Sequence, residues 1–401
     1  EDDDLMIKKG IYIRKNRVTV SLFLVIMGVV LILVSELSRY TGESTSSIIS
    51  GIQKTIIYAI ILLGFFLACT KKHSQMEKAG KLLLAFSLIT VISTFFGVTP
   101  DIPFWRQAIH LMLFVSVFWT VYIATEQFKL EGCIGILIFA YILVVSVYCI
   151  AIITQKKIDG NVVYYLLLFL PLTSMIKSNT LKKVLYVLQI FAVLVSNKRT
   201  ALIVVVMYLF CDEWMSNKRI VGKKKIWKGI IYIVIIIALY IAFPLISQKL
   251  NITVFNELEL SNITKDGGSN RLYIYGQLWM VQKKSSLLHW GIGSGYNSVL
   301  LSKICTDGPL GEAVSGHNDF LEVLYDYGVI GLMLYISFLV SIIKKAIKMK
   351  KNQYRYAVPF MGSILIVVFM SLTSHLVIYL NYYAVMFAFW ALCLADYRYG
   401  G

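Results

Sequence analysis

The strongest constraint on this chain is a series of apolar runs, each about as long as a bilayer-crossing helix. A helix needs roughly 20 apolar residues to span the hydrocarbon core. By that rule, spans are predicted at 18–37, 52–70, 81–98, 105–125, 132–154, 226–246, 357–378 and 381–396. Shorter apolar segments at 160–176, 181–196, 199–214 and 329–343 bring the expected number to about twelve. In lipid, every backbone polar group must be satisfied within the protein, so helices are the expected form. The predicted fold class is an all-α integral membrane protein. Composition excludes a soluble domain: 58% of the 401 residues are hydrophobic and only 15% are charged, leaving more apolar surface than one core can bury.

Basic clusters orient the spans. The segments MIKKGIYIRKNR, KKHSQMEKAGK, KSNTLKK, SNKRIVGKKKIWK and KKAIKMKKNQYR fall on one side, taken as cytoplasmic, and both termini fall there too. QKKIDG is the outer turn that departs from this pattern. The formal net charge of +17 therefore reflects membrane flanks. The basic residues form no stripe of the kind that grips nucleic acid, so no nucleic-acid partner is expected. EDDDL (1–5) reads as a cloning remnant ahead of Met6. Spans one to nine occupy 6–246, a large extracytoplasmic loop occupies 247–328, and spans ten to twelve occupy 329–401. The six cysteines are scattered without a CxxC spacing, and the outer loop lacks a His/Asp/Glu ligand cluster. Neither a metal nor a cofactor is expected.

The outer face gathers the residues that can do chemistry. SGHNDFLEVLYDYGVIGL (315–332) has apolar Phe320, Leu321, Val323, Leu324 and Tyr327 at near-helical spacing, with Asp319, Glu322 and Asp326 on other faces. It predicts an amphipathic interfacial helix over 317–327, capped by Ser315 or Asn318. Gly328 and Gly331 would then turn the chain into the next span. His317 would sit in the first helical turn, where the positive helix end disfavours imidazolium. It is either a base or a plain capping residue. Arg199, in the outer turn SNKRT, and Arg271 are either interfacial anchors or a forked pair for a diphosphate. The glycine-rich HWGIGSGYNSVL, with Gly293 and Gly295, is expected to pack backbone tightly beside a substrate groove. The spans carry essentially no Asp or Glu near their midpoints, where His110 and His375 are the main ionisable residues. Ion-coupled transporters need buried carboxylates along their path, which argues against that class.

HNDFLEVLYDYGVIGL resembles the signature of the O-antigen ligase and polymerase superfamily: His, then Asn, nine residues, then Gly-x-x-Gly. His317, Asn318, Gly328 and Gly331 fit it without a gap. SNKRTALIVV resembles the family's Ser-x-x-Arg segment, placing Arg199. NRLYIYGQLWMVQKKSSLLHWGIGSG resembles its Arg-led segment, placing Arg271, Gly293 and Gly295. The resemblance implies a GT-C-like helical architecture and a metal-independent, inverting glycosyltransferase of the bacterial cytoplasmic membrane. Its implied partners are a polyprenyl-diphosphate-linked glycan donor such as an undecaprenyl one, a glycan acceptor, membrane lipids and a chain-length regulator protein. In the implied chemistry His317 is the catalytic base, Arg199 and Arg271 bind diphosphate, and Asn318 orients the His or the sugar. The expected activity is polymerisation of a surface polysaccharide (O-antigen, capsule or exopolysaccharide). Ligation to lipid A core or protein is the alternative within the family, and a lipid-linked oligosaccharide flippase is the alternative outside it. With this topology, an impermeant thiol reagent added outside spheroplasts should label Cys305 and spare Cys211.

Overall fold

A computed structural model describes residues 43–70, 77–97, 112–155, 162–195, 199–216, 271–307, 312–377 and 380–399, with isolated positions between 227 and 238. The span expected at 18–37, His110, residues 1–5 and nearly all of the span expected at 226–246 lie outside the described residues. The described chain is predominantly helical: α1 (Glu43–Thr70), α2 (Lys78–Phe96), α3 (Leu113–Gln155), α4 (Val162–Ser174), α5 (Asn179–Val195) and α6 (Arg199–Ser216) come first. After α7 (Arg271–Lys284), α8 (Leu287–Ile292) and α9 (Ser298–Leu301), an antiparallel pair follows, β1 (Cys305–Asp307) and β2 (Glu312–Val314). The chain closes with α10 (Asp319–Lys351), α11 (Ala357–Thr373) and α12 (Leu380–Tyr399). Among the described residues, three helices, Ser47–Gly64 within α1, α2 and α10, are long and apolar enough to cross a membrane. This is the architecture of a helical membrane protein.

Two expectations change. The spans expected at 105–125 and 132–154 share one uninterrupted helix, α3. The intervening EQFKLE consists mainly of good helix formers and has no Gly, Pro or Asn to break the pattern. The span expected at 357–378 ends instead at Thr373, with Ser374 in an extended conformation. His375 therefore lies in a turn beyond α11, not inside a helix.

The core forms around α12. Its residues Tyr383 to Ala395 are all buried, as expected of a helix that is apolar on every side. Phe114 of α3 packs on Tyr383 and Phe387, and Phe338 of α10 packs on Phe387 and Trp390. The two ends of the bundle differ in charge. At one, Lys345 pairs with Glu77 at 2.9 Å and Arg355 pairs with Asp396 at 3.5 Å. A cavity of about 370 Å³ there is lined by Lys182, Asp212, Lys350 and Arg355, among others. Helix α10 runs from that basic end to the 315–318 turn at the other.

Along α10 the helix breaks at Gly328, whose φ of 67° and ψ of −174° are non-helical. The segment 319–327 thus stands apart from the apolar span that follows the kink. At Gly328 a Cβ would collide with the Gly291 carbonyl group and the Ile292 nitrogen. Gly328→Ala should therefore combine left-handed strain with a backbone clash, costing at least about 1–3 kcal/mol. Thermal unfolding in detergent should show a clear loss. Unchanged stability would mean that the kink does not depend on glycine.

Candidate functional site

The turn before α10 is fixed by its neighbours on every side. β2 delivers Ser315, whose Oγ lies 3.0 Å from Nδ1 of His375. His317 adopts a left-handed conformation, with φ of 50°, a region that His enters more readily than most residues. Asn318 is the cap: its Oδ1 accepts from the backbone N–H groups of Phe320 and Leu321 at 3.0 and 3.1 Å. Its Nδ2 donates to the Leu372 carbonyl at 3.3 Å. Of the two caps expected, Asn318 serves and Ser315 binds His375. His317 precedes the helix instead of occupying its first turn, because the cap falls at Asn318. The His317 and His375 rings lie 4.6 Å apart between centroids, at 51°.

Arg271 opens α7, and Tyr275 follows one turn later on the same face. The Tyr275 hydroxyl donates toward the carbonyls of His317 and Leu372, at 3.1 and 3.2 Å. Burial pushes the Tyr275 phenol up, opposed by the Arg271 charge and the Asn318 side chain. Thus α7 brings Arg271 to the edge of the His317 turn. A small second core holds it there, built from Ile274, Leu278, Val299, Cys305 and Tyr325. The Gln277 side chain adds two hydrogen bonds to Thr306, at 3.0 and 3.3 Å.

Arg199 begins α6. Helix α6 runs antiparallel to α11: Asp212 lines the same cavity as Ala357, and Tyr208 abuts Gly362. Continuing that register carries the Arg199 backbone to the level of Ser371, at the end of the bundle that holds His317.

The acidic residues correct the sequence reading. Instead of facing water, Asp319, Glu322 and Asp326 are 0, 1 and 2% exposed. Segment 319–327 is a buried helix, not an amphipathic one lying on an interface, because α7 to α9 and α11 cover it. Asp319 accepts from the Ser371 hydroxyl at 2.6 Å and from the Val377 amide at 3.0 Å. Asp326 accepts from the Ser298 amide and hydroxyl at 3.2 and 2.6 Å. Neither Glu322 oxygen makes a well-formed hydrogen bond, and its nearest donors are the Gly316 and His317 amides. Burial drives Glu322 well above the usual carboxylate range, with further upward pressure from Asp319 and Asp326. Burial also pushes Asp319 up to about 7 against its hydrogen bonds. Cys305 is buried, and its thiol is pushed up to about 11. The expected labelling of Cys305 on folded protein is therefore corrected: the side chain is buried away from the reagent.

The glycines join backbone to backbone. A Cβ on Gly293 would strike the Asp326 carbonyl group and the Tyr327 nitrogen. Ser294 and Gly295 donate to the carbonyls of Tyr325 and Asp326 at 3.0 and 2.8 Å. Gly293 and Gly295 therefore brace the kinked helix, and Ser93 of α2 ties in by donating to the Ile292 carbonyl. Gly331 is helical and makes room for the Tyr327 side chain. Among the described residues, no group of three or more His, Cys, Asp or Glu side chains is placed to hold a metal ion.

Residues 184–336 match the family model described as O-Antigen ligase. The match supports the O-antigen ligase and polymerase superfamily. The family implies ligase or polymerase activity in surface polysaccharide synthesis. The match contains Arg199, Arg271, Gly293, Gly295, His317, Asn318, Gly328 and Gly331; His375 lies beyond it. No curated protein matches the chain. Sequence reasoning missed Tyr275 and the placement of His375 beside His317. The available signal was a Ser-His pair near the end of an apolar run.

Asp319 makes a signed prediction. Burial holds its folded pKa up at about 7, above the ordinary aspartate value of about 4. Below about pH 4 both states hold the proton. Between pH 4 and 7 the unfolded chain releases it first, so this group lowers native stability as pH rises, fully above 7. Asp319→Asn lacks that dependence. The melting temperature of wild type minus that of Asp319→Asn should fall across pH 4–7. A flat difference would show that Asp319 stays ionised.

Proposed function

We propose that this chain is a surface-polysaccharide polymerase of the bacterial cytoplasmic membrane. It transfers a polyprenyl-diphosphate-linked glycan to a hydroxyl of an acceptor lipid-linked repeat unit. The observation that carries this reading is the junction of Arg271 and His317: Tyr275, one turn after Arg271, donates to the His317 carbonyl. A cation and an imidazole thereby border one place, with the Arg199 backbone at the same level. The reaction site is extracytoplasmic and both termini are cytoplasmic. In support, residues 328–351 of α10 separate the site from the lysine-rich end by about 35 Å at the helical rise, roughly a hydrocarbon core with its margin. The scaffold is GT-C-like, with short helices of the 247–328 segment over the site.

The chemistry needs no metal. His317 takes the proton from the acceptor hydroxyl. The hydroxyl oxygen attacks the anomeric carbon, and the carbon–oxygen bond to the diphosphate breaks with its electron pair leaving on that oxygen. In-line attack inverts the anomeric centre. Arg199 and Arg271 hold the departing charge with planar forks, most strongly in the transition state. Asn318, occupied as a cap, positions the His317 turn and leaves the sugar to other groups.

Ligation is the second reading, favoured by the description of the matched family as O-Antigen ligase. Purified protein with a synthetic lipid-linked repeat unit separates the two: a product ladder means polymerase, and transfer only with a second acceptor means ligase. His317→Ala should insert normally and lose about 10²–10⁴-fold in transfer. Arg→Ala at 199 or 271 should cost about 10²–10³-fold. Arg→Lys should also lose substantially, since a point charge replaces a fork. Full activity in both Arg→Lys variants would overturn the diphosphate site.

A further inference from the structure

The second imidazole at the site has no role in the chemistry above. His375 is 8% exposed, in the turn after α11. Its Nδ1 lies 3.0 Å from Ser315 Oγ, two residues ahead of His317, and its ring is 4.6 Å from the His317 ring. Both ends of this arrangement are anchored. Asn318 and Tyr275 bond the Leu372 carbonyl from one side, and Asp319 holds the Val377 amide from the other. The two histidines are thus fixed relative to each other by contacts between residues 54 to 97 positions apart in the chain. We propose that His375 is the positioning partner of His317, forming a coupled imidazole pair that holds a single proton in the working pH range. The proposal rests on the base role given to His317 above.

Two imidazolium rings this close disfavour each other, so the protons enter in two separated steps that belong to the pair. Several charges face the pair among the described residues. From α7 come Arg271 and Tyr275. From α10 come Asp319 and Glu322, with Tyr335 and, on α12, Tyr383 behind Asp319 through Ser371. The end of α11 contributes Ser371 and the Leu372 carbonyl, which do not titrate. Asp319, bonded to the Val377 amide, lies on the His375 side, and Glu322 lies beneath the Gly316 and His317 amides. A single proton on the pair is shared between the two rings, so His317 is unprotonated in part of the population. After transfer, the proton lifted from the acceptor hydroxyl is shared by the pair until it passes to solvent, and no other bond changes.

The test is a histidine-selective nitrogen-15 NMR titration of the full chain in detergent micelles, with signals assigned by single His→Asn variants among the five histidines. In wild type, His317 and His375 should each sense two steps, separated by more than about one pH unit. In His375→Asn, His317 should titrate in a single step. Two independent one-step curves in wild type would overturn the proposal even if the variant failed to accumulate. The rate profile provides a second readout. The acid limb of kcat/KM should descend in two steps in wild type and in one step in His375→Asn, with donor KM within about twofold. Identical acid limbs would also count against it. Full transfer by His317→Ala would sink the base assignment while leaving the measured coupling intact, so the two failures are distinguishable.

Discussion

The contact on which the site depends is between two stretches of backbone. Gly328 and Gly293 let residues 291–295 lie directly against 325–328, closer than any side chain allows. Ser294 and Gly295 then donate to carbonyls that the kink frees from the helical ladder. Buried carbonyls need such partners, and each bond contributes about 1 kcal/mol net, while leaving one unmade costs more. The kink separates a buried, acid-bearing helix from an apolar span. It also sets where the 315–318 turn stands against α7 and α11.

Around that turn, polar groups do the positioning. Asn318, Asp319, Ser315 and Tyr275 all reach residues 371–377, through the Leu372 carbonyl, the Ser371 hydroxyl, the Val377 amide and the His375 ring. A buried polar network is stable only when nearly every member is satisfied. Glu322 is the exception, buried beneath the Gly316–His317 amides without a well-formed bond. Burial, with Asp319 and Asp326 nearby, pushes its pKa well above the usual carboxylate range.

The helical membrane class, the basic clusters and the positions of His317, Arg271 and Gly328 were legible in the sequence. Apolar run length and glycine spacing are local signals with direct physical meaning. The turn expected between 125 and 132 was not there, because charge alone does not break a helix. The acidic residues of 319–326 looked solvent-facing because periodicity reports faces of one helix, not what covers them. Cys305 looked reachable for the same reason.

By itself, the sequence determined that this chain folds as apolar helices, that lysines gather at their ends, and that a His-Asn pair precedes a glycine-hinged span. Those follow from the solvent and from each residue's own geometry. Only the tertiary structure decided that Asp319, Glu322 and Asp326 are buried, that Asn318 caps while Ser315 serves His375, and that Tyr275 joins α7 to the His317 turn. These depend on which distant segments meet, and hydrogen bonds across 42 to 60 residues of chain leave no periodic trace in the sequence.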